Sequence, residues 1–184
     1  MNEPIVSNKH VLHCLLFRHG IAVESEKWTG KESERPLTEK GIRRVRRAGD
    51  GLKRLQIRPT VVMTSVFKRA ADTAKILQST LSVEAPVHFA PELLPDAAPE
   101  HIVRALHHIQ PGSCVICVGH EPHLGMTASW LLFGRASAAF VLKKAGACLI
   151  EMSLPAKPGH GRLLWWLTPR QLRSVGRGKA VTDD

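Results

Sequence analysis

Residues 11 to 17, Val-Leu-His-Cys-Leu-Leu-Phe, form a short and almost unbroken apolar run that gives way abruptly to Arg18-His19-Gly20. A run of this length without polar alternation fits a strand buried on both faces, as in a parallel sheet covered by helices. Such a strand ends at the rim of an α/β sheet, where ligands bind. The residues delivered there suit phosphate. Arginine grips a phosphate bidentately, imidazole can attack phosphorus, and glycine lets a backbone approach an anion. Three residues alone equally fit a basic turn after a core strand, so the rest of the chain has to supply matching parts.

It supplies two more runs of the same kind. Residues 60 to 64, Thr-Val-Val-Met-Thr, read as a second buried strand that delivers Ser65 and, one turn into the following helix, Arg69. Residues 113 to 118 read as a third, ending at Gly119-His120. Helical segments separate them. One follows Thr38 as N-cap and runs to about residue 56, with Ile42, Val45, Leu52 and Leu55 on one stripe. A second carries Ala70, Ala74, Leu77 and Leu81, a brief third carries Ile102, Val103, Leu106 and Ile109, and a fourth extends to about Phe133. Residues 86 to 90 suggest a short strand, 91 to 99 a proline-rich loop, 139 to 143 and 147 to 153 paired strands, and 163 to 167 a last strand. The expected fold is a three-layer α/β/α sandwich on a mostly parallel sheet of about five to six strands, with antiparallel members near the end.

If the three strong strands are parallel neighbours, Arg18, His19, Ser65, Arg69 and His120 converge on one rim. Two arginines, two histidines and helix N-termini then make a metal-free pocket for a dianion. The size, 184 residues, fits a single domain. No apolar run approaches a membrane span and no signal-peptide core opens the chain, so a cytoplasmic protein without membrane attachment is expected. Cys14, Cys114, Cys117 and Cys148 lie in or beside apolar runs, as small core residues of a reducing compartment. Cys114 and Cys117 have Cys-x-x-Cys spacing, but three residues apart on a strand they face opposite sides, which excludes a shared metal or redox loop.

The formal charge of +10 would suit a nucleic-acid surface or the attraction of anionic substrates. Much of it lies in Arg43, Arg44, Arg46 and Arg47, on the outer face of the first helix. More of it lies in a basic tail, residues 170 to 184, expected to fray. The chain has no Tyr and its Trp residues do not interleave with the basic runs, which argues against nucleic acid as partner. The remaining histidines take plain structural readings. His13 and His88 alternate within strands, His101, His107 and His108 lie on the short helix, His10 and His160 in loops, and His123 at the rim.

Several stretches resemble the histidine phosphatase (phosphoglycerate-mutase-like) superfamily, in particular its small SixA-type phosphohistidine phosphatase branch. They are Leu-Phe-Arg-His-Gly (16 to 20), Arg-Pro-Leu-Thr-Glu-Lys-Gly (35 to 41) and Thr-Ser-Val-Phe-Lys-Arg-Ala-Ala-Asp-Thr-Ala (64 to 74). Pro-Glu-Leu-Leu-Pro (91 to 95), Val-Gly-His-Glu-Pro (118 to 122) and Trp-Leu-Thr-Pro (166 to 169) follow in the family's order. Val66 departs from the proline usual after the serine. The resemblance implies one histidine phosphatase domain over residues 11 to 169, preceded by a polar lead-in, 1 to 10. It implies His19 as the nucleophile that becomes phosphorylated, with Arg18, Arg69 and His120 holding the phosphoryl oxygens, and no metal or cofactor.

For the general acid the resemblance favours Glu92, in the loop after the short strand, over Glu121, directly after His120. Ser65 is a further phosphate-binding candidate. Mutase-type relatives carry a larger insertion between the positions of Glu92 and His120. Its absence here implies an open site able to admit a side chain on a folded protein. The expected partner is therefore a phosphohistidine-bearing protein. Two alternatives stand beside it: a phosphatase of small phosphorylated metabolites or nucleotides, and a non-catalytic module binding phosphate groups or nucleic acid.

Overall fold

The computed structural model describes residues 11–178; the lead-in 1–10 and the end of the basic tail, 179–184, lie outside the described residues. Six strands form one sheet: β1 (Val11–Arg18), β2 (Val61–Thr64), β3 (Val87–Phe89), β4 (Cys114–Gly119), β5 (Ala147–Ser153) and β6 (Arg162–Leu167). Their order across the sheet is β3-β2-β4-β1-β5-β6. β1, β2, β3 and β4 are mutually parallel, β5 runs antiparallel to β1, and β6 antiparallel to β5. The helices are α1 (Glu39–Arg54), α2 (Lys68–Leu81), α3 (His101–His107), α4 (His123–Phe133) and α5 (Pro169–Gly176).

Strand alternation sorts the core onto two faces. Leu12, Cys14 and Leu16 of β1 pack with Ile102 and Leu106 of α3 and Leu124 and Ala128 of α4. Leu15 and Phe17 turn to the opposite face, with Val45 and Leu52 of α1, Ala74 and Leu77 of α2 and Leu172 of α5. The same alternation separates Cys114 from Cys117 of β4, and all four cysteines are free. Each fully buried Leu or Phe of β1 contributes about 1.5–3 kcal/mol, which is why this strand needs apolar residues on both faces. Among the described residues no helix is long and apolar enough to cross a membrane.

Register brings the strand ends level. Arg18 pairs with Gly119 across β1 and β4, and Thr64 pairs with Val118 across β2 and β4. The ladder continues one step further, with His19 N–H donating to the Gly119 carbonyl at 3.1 Å and Ser65 N–H to the Val118 carbonyl at 3.1 Å. Thr38 caps α1 as expected, its hydroxyl accepting from Gly41 N–H at 3.0 Å.

Two expectations need correction. Residues 139 to 143 form no strand. The peptide groups of Leu142 are taken by side chains instead, its N–H by Glu121 and its carbonyl by Arg18. The basic tail does not begin at residue 170. Thr168 and Gln171 form a reciprocal capping box that starts α5, and fully buried Leu172 fixes the helix on α1. The arginine-rich composition concealed a helix with a single anchoring stripe.

Candidate active site

His19 follows the last residue of β1 and is buried. Its Nδ1 lies 2.7 Å from the carbonyl oxygen of Gly20. A carbonyl only accepts, so Nδ1 carries the proton and Nε2 holds the lone pair. That lone pair faces Arg69, whose Nε–H points at Nε2 from 3.4 Å. Burial, reinforced by Arg69, Arg18 and Lys144, pushes the His19 pKa down to about 3. The imidazole is therefore neutral and nucleophilic across the physiological range.

His120 stands opposite, with ring centroids 5.0 Å apart. Burial first, then His19 and Arg69, lower its pKa to about 2. Its Nε2 is 3.0 Å from the Ser65 hydroxyl, which also accepts from Phe67 N–H at 3.3 Å. A hydroxyl oxygen that accepts from Phe67 still offers a hydrogen and a second lone pair, so this contact serves either tautomer of His120 and leaves Nδ1 as its other ring nitrogen. Among the described residues this buried Nδ1 has no partner. Ser65, a phosphate-binding candidate from sequence, thus has its hydroxyl engaged with His120 and Phe67. The Phe67 ring meets His120 edge-on at 5.2 Å and lies under the Arg69 guanidinium at 5.0 Å.

Arg69 is held from behind. Its Nη2 pairs with Glu32 at 3.1 Å and its Nη1 donates to the Glu32 carbonyl at 3.0 Å. Hydrogen bonds from Arg35 keep the Glu32 carboxyl below its usual range, hence anionic. Arg18 donates through Nη1 to the Leu142 carbonyl at 2.7 Å. Burial lowers both arginine pKa values, opposed by Glu121 at Arg18 and Glu32 at Arg69; both guanidinium groups stay charged.

Gly20 has a role other than the one its composition suggested. Its N–H is committed to the Thr73 hydroxyl at 3.0 Å, so the backbone here does not approach an anion. A Cβ at this position would stand 2.7 Å from Val45 Cγ2 of α1. Glycine is required because α1 packs directly over the turn.

The two acid candidates are placed differently. Glu121 accepts from Leu142 N–H at 2.8 Å and from Gly125 N–H at 3.4 Å. Burial raises its pKa, countered by these bonds and by Arg18. Because Leu142 carries Arg18 on its other face, Glu121, Leu142 and Arg18 form one chain into the site. Glu92 lies in the single helical turn Pro91–Leu93, whose last carbonyl abuts Gly119. With Asp96, His101 and Arg104 it lines a groove of about 320 Å³. Among the described residues it makes no hydrogen bond or ion pair with the His19 cluster.

The segment from Leu142 to Gly146 closes the other side. Ala145 holds a left-handed φ of 62° and donates its N–H to the carbonyls of Arg18 and His19. Lys144 precedes it, exposed beside His19. Glu32, Phe67, Thr73 and Lys144 were not read as site residues from the sequence. Phe67 and Thr73 sit in a recognised stretch, whereas Glu32 and Lys144 lie in segments with no signal of their own. His123, expected at the rim, is buried at the start of α4, and burial lowers its pKa to about 4.

Residues 14–94 match the histidine phosphatase superfamily (branch 1); the matched stretch holds Arg18, His19 and Arg69 and ends before His120. The chain belongs to the histidine phosphatase superfamily. It is a phosphatase by that membership. An uncharacterized protein of Picosynechococcus is 32% identical over 141 residues, covering 73% of this chain and 82% of the relative. In fold, the protein histidine phosphatase SixA complexed with tungstate superposes with a TM-score of 0.76 at 22% identity, covering 87% of this chain and 99% of SixA. A mycobacterial glucosyl-3-phosphoglycerate phosphatase gives 0.65 at 15% identity, covering 86% and 99%. The phosphoglycerate mutase of Bacillus anthracis gives 0.70 at 14% identity, covering 92% and 98%. No large insertion separates Glu92 from His120, where only α3 and β4 intervene.

Proposed function

We propose that this protein hydrolyses phosphohistidine on a protein through a covalent phosphohistidine on His19. The observation that carries the reading is the neutral His19, its Nδ1–H tied to Gly20 and its Nε2 lone pair aimed at Arg69. Nε2 attacks phosphorus in line, forming the N–P bond as the substrate's N–P bond breaks. Arg18, Arg69 and His120 hold the equatorial oxygens and stabilise their charge. Water then attacks the phosphorylated His19, the Nε2–P bond breaks, and inorganic phosphate leaves with the imidazole restored.

The departing imidazole is far less basic than an alkoxide and needs little help from an acid. Glu92 is assigned the acid's part where help is needed, and Glu121 the positioning of Arg18. Access past α3 favours a side chain on a folded protein as substrate. The fold is also shared with a glucosyl-3-phosphoglycerate phosphatase, so hydrolysis of small phosphate esters is the competing reading.

The deciding experiment incubates the protein, with chelator present, with a phosphohistidine-bearing protein and separately with phosphate esters. An acid-labile, alkali-stable phosphoenzyme, absent in His19→Ala, with faster turnover of the phosphohistidine protein, is the expected result. Turnover that survives His19→Ala would overturn the mechanism. Faster turnover of the esters would overturn the substrate.

A further inference from the structure

Helices α1 and α5 are pressed together through glycine. A Cβ on Gly51 would stand 2.1 Å from the Leu172 carbonyl oxygen, and one on Gly176 would stand 3.1 Å from the Arg47 carbonyl oxygen. Backbone contact this close sets Arg44 and Arg47 of α1 beside Arg170, Arg173 and Arg177 of α5. Arg173 feels the charge of the other four.

Among the described residues none of these five arginines is in an ion pair. The acid Asp50 borders the group beside Gly176. Nη1 of Arg173 is buried with no hydrogen-bond partner among the described residues. A buried N–H without an acceptor is unfavourable, and crowded like charges add to that cost. An anion laid on this face relieves the crowding of charge. Arg54, against which Gly178 lies, continues the positive surface toward a cleft of about 530 Å³ that it lines with Lys53 and Arg58.

Topology places the start of α5, with Arg170 in its first turn, at the catalytic rim. β6 runs parallel to β1, so α5 begins at the rim where β1 delivers Arg18 and His19. Pro169 packs on Gly146, whose carbonyl accepts from Arg18 N–H at 3.1 Å. A macromolecule that covers α5 from its first turn therefore stands beside the site opening. All five cations are arginine, whose planar forks match carboxylates. Base stacking is not offered: the chain has no Tyr, and the exposed Phe89 and Phe133 belong to β3 and α4.

We propose that the α1–α5 arginine face docks an acidic surface of the phosphorylated protein whose phosphoryl group enters the His19 site. The inference rests on the reading of the substrate as a phosphoprotein.

The test uses two peptides bearing one phosphohistidine, one extended by a run of glutamates and the other by an equal run of glycine and serine. At low salt, kcat/KM for the acidic peptide should exceed that for the neutral one by about tenfold or more, with the advantage shrinking as salt is added. Arg47→Glu combined with Arg177→Glu should abolish the advantage while leaving turnover of phosphorylated free histidine unchanged. The milder pair Arg47→Gln and Arg177→Gln should give an intermediate loss, which guards against misfolding. Equal rates on the two peptides, or a preference that survives the double charge reversal, would overturn the proposal. So would an oligonucleotide bound at physiological salt through these arginines while the glutamate peptide is not. Should neither peptide be turned over, the phosphohistidine reading fails by itself. Fluorescence anisotropy of the unphosphorylated glutamate peptide, with and without the charge reversal, then still decides the docking face.

Discussion

His19 donates its Nδ1–H to the carbonyl of its own neighbour Gly20, at 2.7 Å. That one bond selects which ring nitrogen does the chemistry. The phosphoenzyme should accordingly be the Nε2 isomer of phosphohistidine. Phosphorus NMR of the trapped, alkali-denatured protein distinguishes the two isomers, and a signal from the Nδ1 isomer would contradict the assignment.

Three buried histidines should make the protein sensitive to mild acid. His19, His120 and His123 have pKa values of about 3, about 2 and about 4, against about 6.5 in the unfolded chain. Below pH ~6.5 the unfolded state binds protons that the folded state refuses, so stability falls as pH falls through this window. The loss levels off for each residue only once its folded pKa is passed. Each contributes a slope of up to about 1.4 kcal/mol per pH unit. Urea denaturation at a series of pH values between neutrality and 4 measures the sum. Replacing His123 by Gln should reduce the slope by roughly a third.

Glu121 and Arg18 are joined through the two faces of the Leu142 peptide. Glu121→Ala removes the acceptor that holds Leu142 N–H, and with it the placement of Arg18. A loss of about tenfold or more in kcat/KM is expected, from a bond of about 1–3 kcal/mol. Glu121→Gln keeps an acceptor oxygen for Leu142 and should retain most of the activity. Equal damage from both substitutions would instead identify Glu121 as a proton donor.

Glu92→Gln should discriminate between leaving groups. Ester hydrolysis, which needs a proton on an alkoxide, should slow by about a hundredfold, within the range of general acid catalysis. Phosphohistidine hydrolysis should change little. Parallel kcat measurements on the two substrate types test this directly, and equal slowing of both would remove Glu92 from the acid's role.

Gly20→Ala should destabilise the protein by about 1–3 kcal/mol through overpacking, because the new Cβ meets Val45 Cγ2 at 2.7 Å. Val45→Ala opens that space. The double variant should therefore be closer in stability to Val45→Ala alone than additivity allows, as thermal unfolding of the four proteins would reveal.

Much of the architecture was legible because the strongest segments are governed by local rules. β1, β2 and β4 are apolar on both faces, as only interior strands are, and each ends in a residue that chemistry can use. Thr38 announced α1, and Arg18, His19, Arg69 and His120 were all named from strand ends and motif spacing. The misreadings share one physical origin. Residues 139 to 143 look strand-like, yet the N–H and carbonyl of Leu142 among them are claimed by Glu121 and Arg18 from distant segments. Arg170, Arg173 and Arg177 make α5 look like a charged tail, because Leu172 alone carries its buried face.

By itself the sequence determined the strands, the helix starts and which residues stand at the rim, since periodicity and capping are local properties of the chain. It also determined that Gly20 follows His19, but not why. Only the tertiary structure decided the protonation of His19, the pairing of Arg69 with Glu32 and the suspension of Arg18 from Leu142. It also set five arginines side by side across α1 and α5. Each of these depends on groups far apart in the chain meeting at a few ångströms out of water, where a hydrogen bond or a neighbouring charge fixes a proton or a side chain that composition leaves free.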